Sequence, residues 1–391
     1  MDELNINLLH KIPTTEKVTK VVLLKREDGV ITIGDDKSIK VWIKRDTGQY
    51  WPSVCHTLPV LPTSMDFAHE TQRLFVGNDN GLVVEYKVAD DYNSQSQIRE
   101  YHAHIGTVTS LVFCLEAEWV LSVGRDKTFV WHCSETGKKL GSYIIGSWCT
   151  SIVFDSAARY AFVGDYAGTI TVLSLVTNEC KFISKLSGHS ASIRCLTWDA
   201  ENQLLFSGGA DKSIIVWDIG GKRGTVYELH GHNNKLVGLA YASGLKYLFS
   251  LSDDGQIVCW DLRTKRDETP EWKSSDNCQR CDTPFFWNVR EMWYRKIVGA
   301  RQHHCRKCGH AVCDSCSNHR ACIPKMGYEY PERVCDGCQT DLSAQDATSL
   351  ATYFNCKEWT VDLYVDETQQ KLVTIGSEKA IKIWDLSGVF R

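Results

Sequence analysis

Short apolar stretches of period 2, separated by turn residues, recur along most of the chain. The clearest unit, SGHSASIRCLTWDAENQLLFSGGADKSIIVWDIGG, occupies residues 187–221, and the next, HGHNNKLVGLAYASGLKYLFSLSDDGQIVCWDL, has the same layout. Each opens on Gly-His, runs through an alternating apolar stretch, turns at Asp and closes on Trp-Asp. Alternation at period 2 predicts half-buried strands. Aligned on the Trp position, the markers are Trp42, Tyr86, Trp131, Leu173, Trp217, Trp260 and Trp384, with first steps of 44, 45, 42, 44 and 43 residues and a last step of 124. One repeat of about 43 residues fits in that last step and leaves roughly 80 over.

These units resemble the WD repeat. The resemblance implies an all-β, seven-bladed WD40 β-propeller, built from small sheets that cannot bury their faces alone. His189, Ser207, Asp211 and Trp217 match the structural hydrogen-bond set of that family, as do His232, Ser250, Asp254 and Trp260, and His104, Ser122, Asp126 and Trp131. The first repeat keeps Thr32, Asp36 and Trp42; the last keeps Thr374 and Trp384, with Glu378 in place of Asp. The second and fourth have Asn80 and Ala167 at the Asp position. Recurrence at the repeat period marks these residues as structural, since a catalytic triad would occur once. The final repeat stops just past its Trp-Asp, so its fourth strand is expected from the N-terminal segment, about Leu4 to Ile12, which would close the ring.

The long step holds a different kind of sequence. Residues 272–340 carry four C-x2-C pairs, Cys278/Cys281, Cys305/Cys308, Cys313/Cys316 and Cys335/Cys338. Four such pairs within 61 residues predict two tetrahedral sites for Zn2+, each with four thiolate ligands. The segments Arg301-Gln302-His303-His304-Cys305-Arg306 and Arg333-Val334-Cys335 resemble the basic R-(R/K)-HHCR and RVC motifs of FYVE zinc fingers. Three features depart from that pattern. Ser275 stands where the family's WxxD has Asp, with Asp276 one later; Gln302 replaces a basic residue; and the gap after Cys281 is long and aromatic.

The resemblance implies an inserted small α+β finger whose ligands interleave: Cys278, Cys281, Cys313 and Cys316 on one ion, Cys305, Cys308, Cys335 and Cys338 on the other. It also implies that Arg301, His303, His304, Arg306 and Arg333 read phosphatidylinositol 3-phosphate, and that Ile297 and Val298 enter the bilayer, with Met292 and Trp293 as a competing tip. The chemistry agrees. A phosphate carries close to two negative charges, and Arg offers it a planar fork of donors. Residues 272–340 hold 11 Lys/Arg against 7 Asp/Glu, whereas the whole chain has a net charge of −4.

That overall charge argues against a general nucleic-acid binder. No run of 18 uncharged apolar residues occurs, and MDELNINLLHKIPTTEK lacks a signal-peptide core, so a cytoplasmic protein is expected. In that compartment the 17 cysteines read as metal ligands or inert thiols, not as disulfides. The expected layout is 1–271 for blades 1 to 6, 272–340 for the finger, and 341–391 for the end of blade 6 and blade 7. Taken together, the chain is expected to be a non-enzymatic adaptor or scaffold, peripheral on early endosomes, with protein partners on its propeller; a homodimer is compatible. Two rivals stand beside this. A RING-like ubiquitin ligase also uses two interleaved zincs, but usually places a His within the ligand series, whereas His303 and His304 precede Cys305. A propeller that binds only proteins would use its finger for structure alone.

Overall fold

The computed structural model describes residues 2–176, 179–221 and 224–390. Seven antiparallel sheets follow one another around a ring. Five are contiguous in sequence: 18–57, 62–102, 108–144, 149–187 and 193–230. The sixth takes Leu236–Ala242, Tyr247–Ser252, Gln256–Asp261 and then, after the finger, Ala351–Asn355; the seventh takes Thr360–Asp366, Lys371–Gly376, Ala380–Asp385 and, from the other end of the chain, Asn7–Pro13. The second strand of a blade, such as Gly29–Gly34 or Tyr247–Ser252, is buried on both faces, because neighbouring blades cover it. Outer strands such as Lys139–Ile144 are half-buried to exposed.

Within blade 5 a directed hydrogen-bond chain ties the sheet to its loop. Trp217 Nε1 donates to Ser207 Oγ (2.8 Å), Ser207 pairs with His189 Nε2 (2.8 Å), and His189 Nδ1 pairs with Asp211 (2.9 Å). The indole can only donate, so Ser207 Oγ accepts from Trp217, and the carboxylate can only accept, so His189 donates to it from Nδ1. Asp211 also accepts from the Ser190 amide (2.8 Å). Burial works to raise the Asp211 pKa, yet these bonds hold it at about 2. Blade 3 repeats the links from His104 to Ser122 and Asp126, at 3.0 Å each.

Blade 6 differs from the expected set. Ser250 still bridges His232 (2.6 Å) and Trp260 (2.8 Å), but Asp254 bonds Ser252 and the Gln256 amide, and His232 Nδ1 has no hydrogen bond to it. The cause lies two residues before the Asp. Blades 5 and 3 have Gly209 and Gly124 there, where a Cβ would sit 2.5 Å and 2.9 Å from the His Nδ1. Ser252 fills that space and captures the carboxylate. Fully buried without its ion pair, His232 has a pKa lowered to about 4.

The N-terminal segment covers two sheet edges. Asn7–Pro13 pairs with Ala380–Asp385, and Lys11 reaches Glu378 (2.8 Å). Upstream, Asp2–Glu3 pairs in parallel with Ala351–Asn355, and Leu4 and Ile6 pack between blades 6 and 7. The closing strand therefore begins at Asn7, and Leu4 belongs to the crossing between blades.

The finger is docked on the ring. Its hairpin, His319–Ile323 with Tyr328–Val334, extends blade 5 to a six-stranded sheet. The His230 amide donates to Gly327 O (2.8 Å), and the His230 ring stacks on Tyr328 at 4.9 Å. Gly327 has φ +85°, and a Cβ there would lie 1.8 Å from Glu228 O, so only glycine fits. Buried Arg266 joins the entry, the exit and the finger by donating to the carbonyls of Asp261 (3.2 Å), Leu350 (3.3 Å) and Pro324 (2.8 Å).

Two expectations follow. Asp211 has a folded pKa of about 2, below its reference of 3.8, so its ionic contribution is complete above that reference and fades as pH falls towards 2. After discounting for solvent screening, Asp211→Asn should cost about 1–2 kcal/mol at neutral pH. Urea unfolding should show that gap closing below about pH 4; a gap independent of pH would mean the charge is not involved. Ser252→Gly should free Asp254 to meet His232 and raise the His232 pKa from about 4, as read by NMR titration. An unmoved titration would refute the steric explanation.

Candidate metal centre and headgroup pocket

The finger has only a small apolar core, centred on Phe285, Val312, Ile323, Met326, Tyr328 and Val334. Such a core rarely folds alone, and cross-linking by metal is the usual remedy. The chain is shaped for it. Each of the first two C-x2-C turns is followed by a residue in the left-handed region, Asp282 at φ 58° and Gly309 at φ 71°. These turns bring both sulfurs of a pair to one side.

The eight sulfurs then fall into two groups, Cys278, Cys281, Cys313 and Cys316, and Cys305, Cys308, Cys335 and Cys338, each with all sulfurs within 4.8 Å of one another. Contacts such as Cys281 Sγ to Cys313 Sγ (3.6 Å) and Cys308 Sγ to Cys335 Sγ (3.9 Å) suit a tetrahedron with metal–sulfur bonds of about 2.3 Å. The Cys313 amide donates to Cys278 Sγ (3.3 Å) and the Cys335 amide to Cys305 Sγ (3.2 Å), contacts that favour thiolates. The donor set therefore fits two Zn2+.

The basic residues sit on the second C-x2-C turn and on the hairpin. His303 and His304 form a two-residue strand against Ala311–Val312, so their side chains leave on opposite faces. His303 lies 3.9 Å from Asp314, which also receives Arg333 at 2.8 Å. Arg333 is held further by Ser317 O (2.9 Å) and Ser317 Oγ (3.0 Å). Burial, and then the positive field of Arg333, lower the His303 pKa; Arg301 and Arg320 add to that field. On the other face the His304 ring stacks on Trp272 (4.8 Å), and the Arg306 guanidinium lies over the same indole (4.8 Å). Glu332 is 3.7 Å from Arg306 Nε.

The five expected pocket residues thus form two groups. His303 and Arg333 meet at Asp314, with Arg301 adding its charge at His303, whereas His304 and Arg306 flank Trp272. Trp272 and Arg320 were not among the expected pocket residues. The first is legible as the Trp of the WxxD position; nothing in the motif marks the second. Asp276 accepts from Trp287 Nε1 (3.0 Å), which ties it to the long loop.

That loop sends Phe285 into the core and presents most of its other large side chains outwards. Its helix, Val289–Arg295, is capped by Asn288 and buries none of its residues. Trp293 is 86 % exposed, Tyr294 83 %, Val298 84 % and Ile297 41 %. Met292, by contrast, turns in and accepts from the Gly299 amide. The apolar tip is therefore wider than Ile297 and Val298, with Trp293 and Tyr294 as its largest exposed surface. Among the described residues, no helix is long and apolar enough to cross a membrane.

Comparison with known proteins agrees with this geometry. Residues 269–344 match the FYVE zinc finger, and 95–131, 180–218 and 223–261 match the WD domain, G-beta repeat. The chain is 50 % identical to WD repeat and FYVE domain-containing protein 1 of Bos taurus, across 96 % of this chain and 91 % of that protein. It is 49 % identical to WD repeat and FYVE domain-containing protein 2 of Homo sapiens (96 % and 94 % covered) and 45 % identical to the Caenorhabditis elegans protein 2 (98 % and 93 %). The WD40 beta propeller domain of Doa1 superposes with a TM-score of 0.66 over 99 % of both chains at 14 % identity, a likeness of fold alone. The finger is a two-zinc module.

Replacing one sulfur tests its role in folding. Cys305→Ser should lower the zinc content from two ions to one per chain and expose the finger to protease, while the propeller keeps its β-sheet circular dichroism. Retention of both ions by this variant, measured by mass spectrometry under native conditions, would exclude Cys305 as a ligand.

Proposed function

We propose, since the chain belongs to the WD repeat and FYVE domain-containing protein family, that it is a peripheral protein of early endosomes which binds phosphatidylinositol 3-phosphate through its finger and presents its propeller to protein partners, without catalysis of its own. In this reading the eight cysteines are the ligands of the two ions in the two sets that the sulfurs form. Residues 272–340 are the lipid-reading unit, and 1–271 with 341–391 the ring that carries it.

The observation that carries the reading is the joint placement of cations and exposed apolar surface. Arg301, His303, His304, Arg306 and Arg333 are the headgroup donors, held beside metal-ligand turns and hence preorganised. Next to them in sequence, Ile297 and Val298, widened by Trp293 and Tyr294, form a tip suited to the bilayer, where aromatic rings favour the interface and Arg290, Arg295 and Lys296 favour anionic lipid. A soluble surface gains nothing from such a patch unless something covers it.

Arg301 is exposed, and among the described residues it carries no ion pair, so Arg301→Ala removes a donor with little harm to the fold. Liposome flotation should show a loss of about 1.5–3 kcal/mol in binding to 3-phosphoinositide vesicles, with zinc retained. The pair Trp293→Ala and Tyr294→Ala should weaken vesicle binding about tenfold or more while leaving binding of the soluble headgroup unchanged. Parental binding by both variants would remove the pocket and the tip from lipid recognition.

A further inference from the structure

The face of the ring formed by the loops that precede each innermost strand holds a second site, at the mouth of the central channel between blades 3 and 4. A cavity of about 410 Å³ opens there, lined by Lys20, Arg125, Arg194, Trp148 and Tyr166 together with threonines and apolar residues, and by no carboxylate. Lys20 is already paired with Asp362 (2.8 Å). Arg125 and Arg194 are exposed and have no ion pair among the described residues. Outside residues 272–340 the chain is net negative. Two unpaired guanidinium groups in a lining without carboxylates, with Asp362 lying beyond it on Lys20, therefore stand out against their surroundings and favour an anionic ligand.

The apolar half of the site is as definite. Trp148 and Tyr166, 49 % and 58 % exposed, meet at 5.7 Å with an interplanar angle of 59°, forming an open aromatic corner. Backbone bonds fix both walls, from the Tyr166 amide to Trp148 O (2.8 Å) and from the Arg125 amide to Thr107 O (3.0 Å). Rigid walls spare a ligand the cost of ordering them.

We propose that this mouth docks an acidic linear segment of a partner protein, with an aromatic or large aliphatic side chain seated against Trp148 and Tyr166 and carboxylates on Arg125 and Arg194. The fit is one of charge and shape: two guanidinium groups without ion pairs among the described residues, an open aromatic corner, and a cavity of about 410 Å³ that both of them line. The proposal rests on the adaptor reading of the propeller and specifies the surface and the chemistry it recognises.

The test uses the full zinc-loaded chain and a short fluorescein-labelled peptide with a phenylalanine between paired glutamates. Fluorescence anisotropy should give a Kd on the order of 10–100 μM that weakens with salt. Arg125→Ala with Arg194→Ala should weaken it about tenfold or more, and Trp148→Ala should erase the preference over the same peptide with alanine for phenylalanine. Both variants should bind 3-phosphoinositide vesicles like the parent, which confirms their folding. No binding by the parent below about 1 mM, or equal binding by the double variant, overturns the proposal. Tighter binding at this mouth of single-stranded RNA or of a soluble inositol phosphate than of the peptide overturns it as well. The adaptor reading is measured apart, by proximity labelling around the full chain in cells. Partners that remain labelled in the double variant, when the peptide fails to bind the parent, refute the mouth and leave the adaptor standing.

Discussion

A propeller blade ends in an outer strand with one row of backbone N–H and C=O groups unpaired, and such edges invite association with any other strand. This chain covers two of its edges and supplies a third from afar. The finger hairpin lies against the outer strand of blade 5, the Asp2–Glu3 strand against that of blade 6, and Asn7–Pro13 is itself the outer strand of blade 7. Backbone pairing thus sets where the zinc module sits. Arg266 reinforces the placement by donating to three carbonyl groups in a buried junction, two of which, Leu350 O and Pro324 O, also accept a backbone amide. Its donors meet only backbone, which makes the contact indifferent to side-chain changes in the loop it reaches.

How much of this was legible depended on how local the determining contact is. The blades were legible because the residues that define them recur at fixed spacing and meet within one sheet. His189, Ser207, Asp211 and Trp217 lie within a single repeat, and their hydrogen bonds follow from it. The cysteine pairs were legible for the same reason, since a C-x2-C turn prepares both sulfurs locally. Blade 6 shows the limit. Its His, Ser, Asp and Trp are all present, yet the chain of bonds breaks because Ser252 replaces a glycine that no list of the four residues includes. A hydroxymethyl group in place of one hydrogen atom breaks a chain of bonds for which all four residue types are present.

The docking of the finger was not legible at all. His230 and Gly327 are far apart in sequence, and nothing in either segment marks them as neighbours. The same holds for the split of the basic residues into two groups, which follows from strand alternation at His303 and His304 and from the position of Trp272 between His304 and Arg306. The long aromatic loop could be read only as an anomaly of length. Its division into an inward Phe285 and outward Trp293 and Tyr294 depends on the helix that carries the latter two, which is too short for its periodicity to signal a face.

The pairing of Asn7–Pro13 with Ala380–Asp385 also fixes an order of events during synthesis. The strand that closes blade 7 leaves the ribosome about 370 residues ahead of its partner. At about 5–20 residues per second, the interval is roughly 20–80 s. For that time an apolar-containing strand waits unpaired while blades 1 to 5 and the finger can fold beside it. Folding of the last blade is then the capture of an old segment by a new one, limited by how well the nascent chain has kept its own beginning free of other strands. A chaperone that shields short exposed strands would act on this protein at Asn7–Pro13, long before the ring it serves exists.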